Sequence, residues 1–166
     1  MTIVRISTPA DLAAIDALLA RSYPVLLKPD YPPSVLVTAL PLIARANSGL
    51  VASGRYYVAE DMGGAIVAAG GWSFSSPAGS GPRRGLVHIR HFVTDHRRQR
   101  QGFARAVMAR ILVDAAAEGA TEADCLSTRT AVPFYQAMGF ALLGPVDVQL
   151  RPGIVFPSIQ MRRRLP

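Results

Sequence analysis

The residues whose types and spacing could do chemistry concentrate in one stretch, HFVTDHRRQRQGFARAVMARIL, residues 91–112. An apolar strand pattern runs into a basic loop, and the loop meets a glycine at the first turn of an amphipathic helix. Such a junction makes an anion site. The first amides of a helix lack intrahelical partners, and the helix dipole places positive potential there. Gly102 and Ala104 carry almost no side chain, so a phosphate can approach the backbone closely. Arg97, Arg98, Arg100, Arg105 and Arg110 cluster in this segment, and the first three can neutralise further phosphate charge. The stretch contains neither GK[ST] nor G-x-G-x-x-G, so it is not a Walker loop or a dinucleotide fingerprint. Taken alone it is also compatible with an ordinary helix start beside a solvated arginine run.

Titratable candidates flank this stretch. His88 and His91 lie on the preceding strand, where imidazole is suited to proton transfer near neutral pH. Period-two alternation places His88, Arg90 and Phe92 on one face and Ile89, His91 and Val93 on the other. Arg90 could bind an acidic substrate group or simply balance charge. Cys125, the single cysteine, falls inside a strand pattern and reads as a packed core thiol. One cysteine excludes a disulfide framework, and no His/Asp/Glu spacing suggests a metal site.

The elements that position these groups follow from periodicity and punctuation. Ile3–Ile6 alternates as a strand; Leu12, Ile15, Leu18 and Leu19 follow helical spacing, with Tyr23-Pro24 as the expected stop. Residues 26–31 read as a loop, and Pro32-Pro33-Ser34 starts a second helix through Ile43. Residues 55–60 and 65–74 form two strands joined by a turn at 61–64. Residues 75–85, rich in Gly, Pro and Ser, form an exposed loop, and 86–94 a strand. A helix over 102–118 stops at Gly119, 123–127 is a strand, and 132–138 a short helix closed by Gly139. Residues 141–143 and 155–161 close the sheet, leaving Arg162-Arg163-Arg164 as a solvated tail. The order implies a single mixed α/β domain over 1–166, built on one central sheet.

Composition agrees with one domain. The chain has 166 residues, half of them apolar, and a positive mean hydropathy. It carries a formal charge of +7, and every basic residue except Lys28 is arginine. Arginine's planar fork suits phosphates and carboxylates. A nucleic-acid partner is disfavoured because no basic face is interleaved with aromatics. No basic region followed by an apolar run marks a secretory signal, and the longest uncharged stretch, Met62 to Pro82, is broken by Gly, Ser and Pro. The expectation is a soluble cytoplasmic protein without a membrane partner.

Two motifs resemble those of GNAT (GCN5-related) N-acetyltransferases. Gln99-Arg100-Gln101-Gly102-Phe103-Ala104 matches Q/R-x-x-G-x-G/A, and residues 131–140, AVPFYQAMGF, match A-x-x-F-Y-x-x-x-G-F at the spacing of one helix and one strand. The similarity spans roughly residues 2–161. It implies a central, mostly antiparallel sheet flanked by helices and splayed beyond Phe92-Val93, with acetyl-CoA as cosubstrate. Backbone groups of Phe92 and Val93 would pair with the pantetheine arm. A backbone amide around Val93 would polarise the thioester carbonyl. The loop Arg97, Arg98, Gln99, Arg100, Gln101, Gly102, Phe103 and Ala104 would hold the pyrophosphate.

The resemblance further implies direct attack by a primary amine of a small molecule or protein. Tyr135 would donate a proton to the departing thiolate, and His88 would be the first candidate base, with His91 or a water chain as alternatives. A homodimer is frequent among similar proteins. Two positions depart from the family pattern: Asp95-His96 stands where a proline is usual, leaving a less rigid turn, and Thr128 replaces an asparagine that contacts the cofactor. Trp72 and Phe74 would pack in the core or line the acceptor pocket, and Tyr23 and Tyr31 lie where acceptor specificity is shaped. A non-catalytic acyl-CoA sensor of the same fold is the competing reading.

Overall fold

The computed structural model describes residues 2–77, 79 and 81–166. Seven strands form one sheet in the order β1-β2-β3-β4-β5-β7-β6. They are β1 (Ile3–Ile6), β2 (Tyr56–Glu60), β3 (Ile66–Ser73), β4 (Leu86–Thr94), β5 (Glu122–Ser127), β6 (Ala141–Arg151) and β7 (Ile154–Arg164). Every neighbouring pair is antiparallel except β4 and β5. The helices are α1 (Leu12–Leu27), α2 (Pro33–Ile43), α3 (Ser48–Val51), α4 (Phe103–Ala117) and α5 (Val132–Ala137). This is the mixed α/β architecture expected, with a mostly antiparallel sheet. The expected loop over 75–85 includes residues 78 and 80, which lie outside the described residues.

The sheet buries both faces. Val107, Met108 and Ile111 of α4 pack on Tyr57, Trp72, Val87 and Ile89. On the opposite face Ile15, Leu18 and Leu19 of α1 pack on Tyr56, Val58, Ala69 and Val93. Helical spacing in α1 and α4 therefore predicted which stripe turns inward. Trp72 is a core residue, its indole N–H donating to the Tyr57 hydroxyl at 3.3 Å.

The structure corrects three boundaries. First, α1 does not stop at Tyr23-Pro24; it runs through Pro24 to Leu27. Proline removes one i→i−4 hydrogen bond, but Leu27 is buried with Tyr31, Leu36, Ala39 and Phe156, and that packing carries the helix past the break. Second, the closing strands are eleven residues each and form a long hairpin turned at Gly153, φ +80°. Pro157 is tolerated in β7 because β5 pairs with β7 only as far as Ser127↔Ile159, so no β5 partner awaits the missing N–H. Third, Arg162-Arg163-Arg164 belongs to β7. Arg162 reaches Asp124 with Nε and Nη2 at 3.0 and 2.9 Å, and Arg163 donates to the Met138 carbonyl at 2.7 Å. The short α3 carries no periodic signal; its start is the Asn47 side chain accepting from Leu50 N–H.

Candidate active site

β4 and β5 run parallel and pair only over Leu86↔Glu122, Val87↔Ala123 and His88↔Asp124. Beyond that rung the two strands no longer pair with each other, so the sheet opens four residues earlier than the expected Phe92-Val93. The gap is one wall of a cleft of ≈ 590 Å³. Its other walls are Tyr23, Leu26 and Leu27 of α1, the loop Arg98–Gly102 with the first turn of α4, and Thr128 to Ala137 around α5.

A bulge shapes β4 at this point. Gly71 faces Arg90 and Ala69 faces Val93, so two residues of β4 oppose Gly70 alone. His91 takes φ +48°, and a Cβ at Gly70 would lie 2.4 Å from the Phe92 ring. The simple alternation therefore fails: Phe92 joins Val87 and Ile89 on the α4 face, while Val93 turns to α1 with the face of His88 and Arg90. Asp95 N–H donates to Val67 O, and Val93 lies two residues earlier in the same register opposite Ala69. Alternation of that ladder turns the Val93 amide to β3 and the Phe92 and Thr94 amides to the gap. The Tyr23 hydroxyl donates to the Phe92 carbonyl at 2.9 Å, and the Tyr56 hydroxyl to that of His91 at 2.7 Å.

The loop end of the cleft is built from backbone. Arg100 and Gly102 have φ +59° and +87°, alternating with residues of ordinary φ. That alternation produces a concave run of N–H groups suited to an anion. In the first turn of α4 the amides of Phe103, Ala104 and Arg105 find no acceptor among the described residues, and Ala106 is the first to bond back, to Gly102 O at 3.0 Å. A Cβ at Gly102 would meet nothing within 4 Å, so glycine is demanded there by φ, and the space beside it is open.

Asp95 supplies the rigidity expected to be missing at this turn. Asp95 is 1 % exposed, and its carboxylate accepts from Arg97 N–H at 2.9 Å, from Arg97 Nε and Nη2 at 3.1 and 2.9 Å, and from Arg21 Nη2 at 3.1 Å. The Arg97 guanidinium, helped by Arg21, holds the Asp95 carboxyl far below the usual carboxylate range. The arginines thus divide. Arg97 is tied to Asp95, and Arg98 to Asp61 at 2.7 Å and Gln101 at 3.1 Å. Arg100 and Arg105 make no ion pair among the described residues and are exposed. Thr128 lines the cleft and holds the turn that leads into α5, its Oγ1 accepting from Ala131 N–H at 3.1 Å.

Tyr135 and His88 flank the cleft without lining it. Tyr135 is buried, its ring edge-on to Phe134 and Phe140 and 6.3 Å from Phe92. Burial, then the neighbouring Cys125 and Tyr23, push its phenol well above the usual range, so it stays protonated. His88 is 8 % exposed at the last paired rung, with Nδ1 3.8 Å from Asp124 Oδ1. That separation is too long for a hydrogen bond. Burial alone would raise the Asp124 carboxyl, but His88, Arg162 and Gln160 outweigh it and hold it low. Burial and the Arg90 charge lower His91 to about 4, leaving a neutral imidazole at neutral pH. Cys125 is buried and its thiol pushed up, as a core residue.

Some cleft residues escaped sequence reasoning. Thr130 lines the cleft with a buried hydroxyl that has no partner among the described residues, and Leu26 and Leu27 reach it only because α1 passes Pro24. Thr130 sits just before the second motif, which was the available signal. Tyr23 and Tyr31 lie on or just after α1; Tyr31 bonds Pro157 O at 2.7 Å, and Arg129 N–H donates to its hydroxyl at 2.9 Å. Among the described residues no group of His, Cys, Asp and Glu could hold a metal, and no helix is long and apolar enough to cross a membrane.

A family model described as an acetyltransferase (GNAT) domain matches residues 44–164. The chain belongs to the GNAT acetyltransferase family. No curated protein matches it in sequence. Solved structures share the fold. A GCN5-related N-acetyltransferase from Rhodopseudomonas palustris aligns with a TM-score of 0.77 at 17% identity, over 99% of this chain and 96% of its own. The PaiA N-acetyltransferase from Thermoplasma acidophilum, solved with coenzyme A, aligns with a TM-score of 0.74 at 8% identity over 99% of each chain. A phosphinothricin acetyltransferase from Sinorhizobium meliloti, solved with acetyl-CoA, aligns with a TM-score of 0.66 at 20% identity, over 99% of this chain and 88% of its own.

Proposed function

We propose that the whole chain acts as one acetyl-CoA-dependent N-acetyltransferase, moving the acetyl group to a primary amine by direct attack in a ternary complex. The observation that carries this reading is the cleft itself: two strands part beside a loop whose unpaired amides and left-handed residues are laid out for a diphosphate. The residues present fit coenzyme A. Backbone of Arg98–Ala104 faces the pyrophosphate end, with Arg100 free to pair with phosphate, and Phe92–Thr94 offers strand edge to the pantetheine arm.

In the reaction the amine nitrogen bonds to the thioester carbon and the carbon–sulfur bond breaks. An amide of Phe92 or Thr94, turned to the gap, stabilises the tetrahedral oxyanion in place of the Val93 amide. Tyr135, protonated through the working pH range, gives its proton to the thiolate. His88, steadied by Asp124 on the far side of the opening, takes the proton the amine loses.

Thiol release from acetyl-CoA across amines, polyamines, aminoglycosides, amino acids and peptides tests this reading. Tyr135→Phe and His88→Ala should each lower kcat by roughly a hundredfold or more, with coenzyme A affinity retained. Tight coenzyme A binding without turnover on any amine would instead establish an acyl-CoA-binding sensor.

A further inference from the structure

Arg90 is a half-buried cation without an anion among the described residues. It projects from β4 on the face opposite α4, between His88 and the bulge at His91. Among the described residues its one hydrogen bond runs from Nη1 to the Ser73 hydroxyl at 3.0 Å. Among the described residues its Nε is buried without a partner, and no carboxylate lies within ion-pair distance. Asp124, the acid that meets His88 on that face, is already committed to Arg162, Gln160 and His88. Nearly every other buried polar group here is satisfied: Asp95 by two arginines, Asp11 by Arg5, the Tyr57 hydroxyl by Asp114. A guanidinium has five donors in a planar fork matched to an oxyanion, and burying one unpaired is costly unless a ligand completes it.

We infer that Arg90 is an anion subsite for the acceptor, so that the amine acetylated carries an oxyanion, carboxylate or phosphate, a few bonds from its nitrogen. This rests on the acetyl-transfer reading and deepens it. Arg90 lies two to four residues along β4 from the amides that face the gap, roughly 7–13 Å of strand, and its side chain shortens that span. The anion would be held on the sheet face that carries His88, where the amine must shed its proton. Ser73 orients the guanidinium, and the neutral His91 beside it adds no competing charge.

The test compares matched amines. Glycine, β-alanine and 4-aminobutyrate are set against their amides, and O-phosphoethanolamine against ethanolamine, in thiol-release assays with the wild type, Arg90→Gln and Arg90→Lys. Wild type should prefer the anionic member of a pair. Arg90→Gln should raise its KM by on the order of ten- to a hundredfold, collapsing the preference, while KM for acetyl-CoA stays fixed and Arg90→Lys recovers part of the loss. Which pair responds distinguishes carboxylate from phosphate. A wild type that treats both members alike, or an Arg90→Gln variant that weakens both equally, overturns the inference. Calorimetric titration of the same anions into coenzyme A-loaded protein reads the subsite without turnover. Arg90-dependent binding with no product would sink acetyl transfer and keep the subsite; product formation without Arg90 dependence would do the reverse.

Discussion

Gly102 separates what the loop costs the fold from what it offers a ligand. Its φ of +87° is a region an L side chain enters only at about 1–2 kcal/mol. An added Cβ would meet no atom within 4 Å, so that strain is the whole folded-state effect. Gly102→Ala and Gly102→Glu should therefore destabilise alike. For a chain of this size that is a fall in Tm of roughly 2–8 °C. Ligand binding should split them. Alanine adds one methyl in open space. Glutamate adds a charge near the proposed diphosphate: about 5 Å from two phosphate charges, even fully hydrated, the repulsion is about 2 kcal/mol, or roughly thirtyfold in Kd. Differential scanning calorimetry gives the first quantity, and isothermal titration with coenzyme A and desulfo-CoA the second. The glutamate penalty should shrink as salt is raised. Equal coenzyme A affinities for wild type and Gly102→Glu, at low salt and with the Tm loss present, would refute the placement of the diphosphate at this turn.

Asp95→Asn should loosen the loop, lowering stability by about 2–3 kcal/mol and weakening coenzyme A. The Asp95 carboxyl is depressed in the fold, so its contribution is complete above the ordinary carboxylate range and fades as pH falls below it. Wild type and variant should therefore converge in urea melts taken at progressively lower pH, and a gap that stays constant to the acid limit would contradict the clamp. Pro24→Ala should raise Tm by several degrees, because helix continues on both sides and the restored N–H can bond Ala20 O; an unchanged Tm would mean the helix gains nothing by crossing that residue.

Periodicity and punctuation were enough for β1 to β5, for α2 and α4, and for the glycine turn that starts α4, because each depends on neighbours in the chain. The stripe of Val107 and Ile111, the glycine before α4 and the proline pair at the start of α2 act within a few residues. The resemblance likewise led to the family without a structure. Four features were beyond local reasoning. Helix α1 crosses Pro24 because Leu27 finds Phe156, more than a hundred residues away. The arginines at 162–164 are strand residues because Asp124 and the Met138 carbonyl await them. Asp95 clamps its turn through Arg21, seventy-four residues back. The bulge at His91 shifts the parity of β4, which no alternation rule anticipates, since the extra residue is accommodated by Phe92 lying over Gly70 of the neighbouring strand. Local sequence sets propensities and donors; which of them are overridden or satisfied depends on the partner that folding brings alongside, and that partner is encoded elsewhere in the chain.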